Sequence, residues 1–336
     1  MKPRILLLGP EGNDSSPQDQ SDGARLVGRH GALRDFQLEE DLFQCEDLNA
    51  LENKTCQWEG KLSGIVGATN VAQSTRLSEI AEQMNVLCFV ANNNPSVWQR
   101  RRHTFHIGLP TSQTADAIGY LLAKQKFTRV FLLHDQTEFQ NRVATSMKSA
   151  LEKRNIQVSS ASDTDQGWMD RVSASNAALV YMIYSAEKRA LPLARACKSA
   201  LPGTPILFGR SLLRQAFIES LGSAAEGALF VDLFRRGELR SPQEYAFMNA
   251  LSRERVSVAT ANHGFGWDAM MLCSLALSSA QGNVPDAIDY LESGVSLEGV
   301  TGLFLFSKEN HNGRHGFGPT RISRWHNGRL EEAFDA

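Results

Sequence analysis

Polar side chains follow short apolar segments of this sequence, and their types suit hydrogen bonding to a small molecule. Two such loops follow the segments ending at Gly67 and Val90; their candidate ligand-binding residues are Thr69, Asn70, Val71, Asn92, Asn93 and Asn94. Hydroxyl and amide groups can donate to or accept from a polar or anionic ligand. The backbone amides of a following helix N-terminus would add further donors. Alternatively, these Asn and Thr side chains only cap the helices that follow.

A second set of loops carries aromatic and charged residues. His134–Phe139 follows one apolar segment, and Gly209–Ser211 and Asp232–Phe234 follow two others. The candidate ligand-binding residues of this set are Phe139, Tyr184, Arg210 and Ser211. A ligand held by both sets would contact amides on one side and aromatic or charged groups on the other.

Other chemistry is poorly supported by the sequence. Gly264–Ala269 fits the letters of a dinucleotide fingerprint, but a polar turn precedes it instead of a strand, so we interpret it as a glycine-rich entry into a helix beginning at Trp267. The pairs His103/His106 and His311/His315 lack a carboxylate or thiol at ligand spacing. No nucleophile elbow, Walker loop or zinc-protease motif occurs. We therefore expect no catalytic residues, no metal and no cofactor.

The elements that must position these loops are alternating strands and helices. Apolar runs alternate with amphipathic stretches, and the pattern restarts with a helix over Ala115–Lys124, which predicts an α/β fold of two doubly wound, Rossmann-like blocks. Ligands bind at the carboxyl ends of strands in such sheets, so two opposed polar edges imply a cleft. Ser159–Gly167 is interpreted as a polar connection, and Asn312-Gly313 and Asn327-Gly328 as hairpin turns.

Composition excludes several classes of protein. The 336 residues carry 35 Lys and Arg against 37 Asp and Glu, and a net charge of -2 offers no electrostatic footprint for nucleic acid. The basic cluster Arg100–Arg102 is interpreted as a solvated loop. No apolar run is long enough to insert into a membrane. Ile5–Leu8 also falls short of a signal-peptide core, so the chain is either cytoplasmic or has lost an export signal. The five cysteines are expected to be free, mostly buried thiols, which suits a reducing compartment.

Four short blocks, in this order and spacing, resemble the type I periplasmic binding proteins, and within them the leucine/isoleucine/valine-binding branch that serves ABC transporters. The blocks are Gly64–Gly67, Val130–Asp135 followed by Phe139, Ala225–Gly227 and Gly299–Gly302. The resemblance covers the chain from about Ser63 onward.

This resemblance implies two lobes joined by three crossover segments, with hinge closure around a ligand held between them. The implied boundaries are 1–110 plus 236–312 for lobe 1, and 111–235 plus 313–336 for lobe 2. By position, the first-lobe loops would hold a ligand carboxylate or carbonyl, and Phe139 and Tyr184 would supply aromatic contacts.

The sequence differs from the amino-acid-binding branch at a position that bears on the ligand's charge. Amino-acid binders of this branch carry an acidic residue near the position of Ser211, where this chain has Arg210 beside a serine. An unpaired buried ammonium costs roughly 3–5 kcal/mol. Unless Asp135, Glu187 or Asp232 substitutes, a neutral amide or an organic acid should bind better than an α-amino acid. Arg210 either turns inward to an anionic ligand or points to solvent.

The function implied is non-enzymatic capture of a small polar ligand for an ABC transporter permease, in the periplasm. A cytoplasmic ligand sensor of the same fold, similar to the amide-sensing regulator of the aliphatic amidase operon and acting on a partner protein, is the alternative. An α/β enzyme with an unrecognised site between the lobes is a further alternative.

Overall fold

The computed structural model describes residues 3–10, 15–30, 37–43, 48–67, 70–92, 94–236, 239, 241–314 and 319–334. The chain divides into two compact units, each assembled from three stretches of sequence. Unit 1 comprises Met1–Pro110, Arg240–Val256 and Asn262–Gly316. Unit 2 comprises Thr111–Leu239, Ser257–Ala261 and Phe317–Ala336.

Unit 1 is built on a parallel sheet of five strands in the order β2-β1-β3-β4-β5. Its strands are β1 (Arg4–Pro10), β2 (Gln37–Phe43), β3 (Gly64–Gly67), β4 (Leu87–Val90) and β5 (Thr104–His106). Every residue of β3, β4 and β5 is buried, as expected for parallel strands covered on both faces. The helices, numbered along the whole chain, are α1 (Ser15–His30), α2 (Leu48–Cys56), α3 (Val71–Met84), α9 (Pro242–Arg253), α10 (Ala261–Ser279) and α11 (Val284–Glu292).

Unit 2 contains a seven-stranded sheet in the order β14-β13-β10-β9-β8-β6-β7. Its strands are β6 (Arg129–His134), β7 (Gln157–Ser162), β8 (Leu179–Ile183), β9 (Ile206–Phe208), β10 (Leu229–Asp232), β13 (Arg321–His326) and β14 (Arg329–Phe334). The strands from β6 to β10 are parallel, and β13 and β14 add an antiparallel edge. The helices are α4 (Thr111–Lys124), α5 (Glu138–Glu152), α6 (Trp168–Ala174), α7 (Glu187–Ala200) and α8 (Gln215–Leu221). The α/β fold of doubly wound parallel sheets is therefore confirmed.

The connection predicted over Ser159–Gly167 is wrong in its first half. Strand β7 occupies Gln157–Ser162 and pairs with β6 at the edge of the sheet. Four of its six side chains are exposed or half-buried, because an edge strand packs little of its surface. Its serines therefore gave no apolar signal, although the backbone forms a full parallel ladder.

The two predicted Asn-Gly hairpins had different outcomes. Asn327 and Gly328 join β13 to β14 with φ angles of 49° and 79°, as a type I′ turn requires, so this prediction is confirmed. Asn312-Gly313 does not connect two strands, and only Gly313 of the pair has a positive φ. The terminal segment instead contributes a small hairpin of β11 (Leu297–Gly299) and β12 (Gly302–Phe304) to unit 1, separate from the parallel sheet.

Helix α10 begins at Ala261, six residues before the predicted start at Trp267. Its first turns contain Gly264 and Gly266, which had indicated a loop because glycine weakens a helix interior. The helix interpretation of this segment, in preference to a dinucleotide loop, is confirmed.

A buried charged network lies behind the β11–β12 hairpin in unit 1. The Asp268 carboxylate accepts hydrogen bonds from the backbone N–H groups of Val300 at 2.7 Å and Thr301 at 2.8 Å. Arg314 donates to Thr301 Oγ1 at 2.6 Å and lies over the ring of Phe304 at 3.8 Å. Burial raises the pKa of Asp268 to about 6, although Arg314 and these hydrogen bonds act in the opposite direction.

The described cysteines form no disulfide. Cys56 is exposed, whereas Cys88, Cys197 and Cys273 are buried free thiols, as predicted; Cys45 lies outside the described residues. Within the described ranges, the helices are all too short or too polar to cross a lipid bilayer.

Candidate functional site

Each parallel sheet has one place where the chain order reverses. In unit 1 this place is between β1 and β3, and in unit 2 it is between β6 and β8. The loops after those strands run to opposite sides, which leaves a crevice at the carboxyl edge of the sheet, the position where open α/β sheets bind ligands. The predicted site residues follow β3 and β4 in unit 1 and β6, β8 and β9 in unit 2.

In unit 1, the residues after β3 begin helix α3. The Asn70 side chain accepts a hydrogen bond from the backbone N–H of Gln73 at 2.8 Å, so its predicted alternative role as a helix cap is confirmed. Val71, the first helical residue, is 43% exposed and presents an apolar surface next to this cap. Thr69 lies outside the described residues.

The residues after β4 leave one hydrogen-bond donor unused. Asn92 is only 6% exposed; its Oδ1 accepts from the backbone N–H of Asn94 at 2.9 Å, but its Nδ2 is buried and has no partner in the described part of the chain. Asn94 in turn accepts from Ser96 N–H at 3.1 Å, capping a short 3₁₀ turn. Asn93 lies outside the described residues. A buried donor without a partner costs about 1–3 kcal/mol, so the Nδ2 of Asn92 is an unused and energetically costly donor of this loop.

Gln73 was not recognised from the sequence. Its side chain is 1% exposed, and neither Oε1 nor Nε2 has a hydrogen-bond partner among the described residues. It belongs to the first turn of α3, three residues after Asn70, and that spacing was the only available signal. The carboxyl edge of unit 1 therefore holds two buried amides with unused hydrogen-bonding capacity.

In unit 2, the loop after β6 positions an exposed aromatic ring. Thr137 caps α5, and Asp135 Oδ1 accepts from the Thr137 N–H at 2.9 Å and from its hydroxyl at 2.6 Å. The fixed first turn presents Phe139, which is 40% exposed. The next residue, Gln140, is buried and donates from Nε2 to the Ser185 hydroxyl, which ties α5 to the loop after β8. Phe139 is thus an apolar surface held on a rigid turn at the crevice.

The structure places Tyr184 differently from Phe139. Tyr184 is 1% exposed and packs in the apolar cluster that includes Met182, Cys197 and Phe208. Its hydroxyl has no partner among the described residues, and burial, followed by the charge of Asp163, raises its pKa. The ring belongs to the core of unit 2, so it is not brought together with Phe139 as a second exposed aromatic surface.

Arg210 and Ser211 begin a 3₁₀ turn after β9. The Ser211 hydroxyl donates to the backbone carbonyl of Tyr184 at 2.8 Å, which fixes the loop after β8. Burial lowers the pKa of the Arg210 guanidinium, and the Tyr181 hydroxyl is a counteracting neighbour. The Arg210 side chain is only partly buried overall, although its Nη1 atom is enclosed.

Most acidic side chains at this edge are already neutralised by arginine. Asp163 accepts from Arg189 Nη2 at 2.8 Å and from its Nε, while Asp232 Oδ2 accepts from Arg236 Nε at 2.7 Å and from the Ser323 hydroxyl. Glu187 lies 3.7 Å from Arg214. Of the three acids considered as ammonium partners, Glu187 and Asp232 are thus committed to arginines. Asp135 uses one oxygen within its own loop.

The architecture, two doubly wound α/β units with polar carboxyl edges, defines a class of ligand-binding folds, and comparison with known proteins specifies the family. The sequence model described as "Periplasmic binding protein" matches residues 54–329. The chain belongs to the periplasmic binding protein family, and the predicted type I resemblance is confirmed. No curated protein sequence matches the chain.

Solved structures agree over almost the whole chain. A leucine-binding protein from Thermotoga maritima shares 18% identity with a TM-score of 0.76, covering 99% of this chain and 98% of its own. The isoleucine complex of a branched-chain amino acid transporter substrate-binding protein from Streptococcus pneumoniae shares 16% identity with a TM-score of 0.78, covering 99% and 100%. A solute-binding protein from R. palustris in complex with benzoate shares 16% identity with a TM-score of 0.75, covering 99% and 95%. These likenesses establish the fold.

Proposed function

We propose that this protein captures a small polar solute with the loops at the carboxyl edges of its two sheets and delivers it to an ABC transporter permease, without chemical conversion. The solute-binding role is supported by the family and by structural neighbours that are substrate-binding proteins. Transport, and a periplasmic location, are favoured over a cytoplasmic sensor because those neighbours include ABC transporter components.

The main observation supporting the site is the buried Nδ2 of Asn92, just after β4, which has no hydrogen-bond partner among the residues that the structure describes. A carboxylate or amide oxygen of the ligand would accept this hydrogen bond and remove the desolvation cost of the buried donor. The exposed ring of Phe139 would cover an apolar part of the ligand.

The charges support a ligand without an ammonium group. A cationic group needs a carboxylate that is not already neutralised, and Asp163, Asp232 and Glu187 all have arginine partners. Asp135 is bonded within its own loop and also faces Arg189 electrostatically. We therefore propose an organic acid or a neutral amide as the ligand class.

The experiment keeps the branched side chain constant and removes the amine. Isothermal titration with leucine is compared with 4-methylpentanoate, which lacks only the amine, and with 4-methylpentanamide, which also replaces the carboxylate by a neutral amide. We expect the acid or the amide to bind at least tenfold more tightly than leucine. Tighter binding of leucine would contradict the ligand class while leaving solute binding intact; recovery of a chemically altered ligand would contradict the non-enzymatic role.

A further inference from the structure

A second hollow lies at the opposite edge of the unit 2 sheet from the proposed ligand loops. Its volume is about 380 Å³, within the range of small-molecule sites. It is lined mainly by the segments that lead into β6, β9 and β10, together with residues of α7, β13 and β14. The lining residues are Phe127, Lys198, Pro202, Gly203, Thr204, Pro205, Glu226, Gly227, Leu229, Arg324, His326 and Phe334. These segments lie at the amino ends of the parallel strands, whereas the proposed ligand loops lie at the carboxyl ends. The hollow is therefore separate from the proposed solute site.

The wall of the hollow is largely apolar. Phe127 and Phe334 pack edge to face with ring centroids 6.2 Å apart, and Leu229 and two prolines extend this surface. Both phenylalanine rings remain only partly buried. Such a wall suits the aromatic or branched body of a small ligand.

Two cations line the same hollow without a carboxylate partner. The Lys198 ammonium has one weak contact, with the backbone carbonyl of Glu226 at 3.5 Å, and Arg324 forms no ion pair in the described part of the chain. Glu331, which faces Arg324 across the β13–β14 ladder, is bonded to Arg329 at 2.8 Å. Both positive charges are therefore available to an anion.

The carboxylate in the lining does not neutralise these cations. Glu226 Oε1 lies 2.5 Å from His326 Nδ1, and its Oε2 accepts from the backbone N–H of Asn327 at 3.3 Å. The Asn327 amide in turn lies 3.0 Å from His326 Nε2. This arrangement holds the carboxylate against the turn of the β13–β14 hairpin and leaves a net positive lining.

From the apolar wall and the two available cations, we propose that this hollow is a second binding site, which takes a small monocarboxylate with an aromatic or branched aliphatic body. The carboxylate is bound by Lys198 and Arg324, and the body packs on Phe127 and Phe334. This site goes beyond the proposed solute-binding function and does not depend on it.

The test uses 3-phenylpropionate and the uncharged 3-phenylpropanamide as probes of the full chain, by isothermal titration with amide chemical-shift mapping. We expect the acid to bind, with shifts at residues 198–205 and 324–328, and the amide to bind at least tenfold more weakly. Lys198→Gln and Arg324→Gln should each weaken binding of the acid by roughly tenfold. Loss of one hydrogen bond to a charged group changes a dissociation constant by about this factor. Lys188→Gln, an exposed lysine at the start of the same helix α7, is the matched control and should leave binding unchanged.

Several results would overturn the proposal. These are absence of binding by the acid, equal binding of acid and amide, or unchanged affinity in both glutamine variants. Binding that is lost in Asn92→Asp instead would place the probe at the proposed solute site and would also refute a second site. Failure of the solute-binding proposal, in contrast, would leave the effects of Lys198→Gln and Arg324→Gln unaltered.

Discussion

Gly266 of α10 lies directly against the backbone carbonyl of Gln20 in α1, so closely that a Cβ at position 266 would overlap that oxygen. The contact is reciprocal, since a Cβ on Gly23 would overlap the carbonyl of His263. The two helices of unit 1 therefore touch backbone to backbone. Gly266, one of the two glycines that imitate a dinucleotide fingerprint, therefore serves helix packing.

Gly266→Ala should destabilise the protein despite the better helix propensity of alanine. The added methyl group must push α1 and α10 apart, and overpacking of this kind costs about 1–3 kcal/mol or more. Urea unfolding measures the change. Gly203→Ala, where a Cβ meets no atom within 4 Å, is the control and should be nearly neutral. Equal stability of the two variants would mean that the helix crossing is not tight.

Asp268 should make stability depend on pH in a direction unusual for an aspartate. Its pKa is raised from 3.8 to about 6 in the folded protein, so the native state binds the proton more tightly than the unfolded chain does. The resulting stabilisation is complete below about pH 4 and is lost as the pH rises through 6. This difference between the pKa of the folded and unfolded states corresponds to roughly 3 kcal/mol.

The measurement is the unfolding free energy of wild type minus that of Asp268→Asn, at pH 4 and pH 7.5. The asparagine variant cannot titrate at this position. The difference in unfolding free energy between wild type and variant should therefore fall by up to roughly 3 kcal/mol at the higher pH. Asp289→Asn, at an exposed position of α11, should show no comparable change. If this difference in unfolding free energy grew with pH, the pKa of Asp268 would instead be lowered by Arg314.

Phe139→Ala should weaken ligand binding without unfolding the protein. The ring is 40% exposed, so its truncation removes contact surface for a ligand and little core packing. We expect a loss of affinity of roughly tenfold, measured by titration with the tightest ligand of the 4-methylpentanoate series. Tyr120→Ala, which removes a similarly exposed ring from α4, should bind normally. Full affinity in Phe139→Ala would remove this residue from the site.

The alternation of apolar and amphipathic segments was sufficient to predict the α/β fold, because buried parallel strands such as β4 are continuous apolar runs. Strand β7 was not predicted, because an edge strand can contain several serines and so lack an apolar pattern. The sequence was also sufficient to locate the loops at the strand ends. It did not reveal which side chains of these loops are already engaged in core packing or in ion pairs. The insertion of Tyr184 into the core and the arginine partners of Asp163 and Asp232 depend on long-range packing that spacing does not encode.

The Asn92→Asp substitution tests whether the carboxyl edge of unit 1 binds the solute. The substitution keeps Oδ1, which holds the turn to Asn94, and replaces the unpartnered Nδ2 donor with an acceptor. Binding of the preferred ligand, measured by isothermal titration, should fall at least tenfold in a variant that still unfolds cooperatively, although its unfolding temperature without ligand falls because the carboxylate at this buried position has no partner. Unchanged affinity in a folded Asn92→Asp protein would contradict the account of solute capture at the carboxyl edge of unit 1.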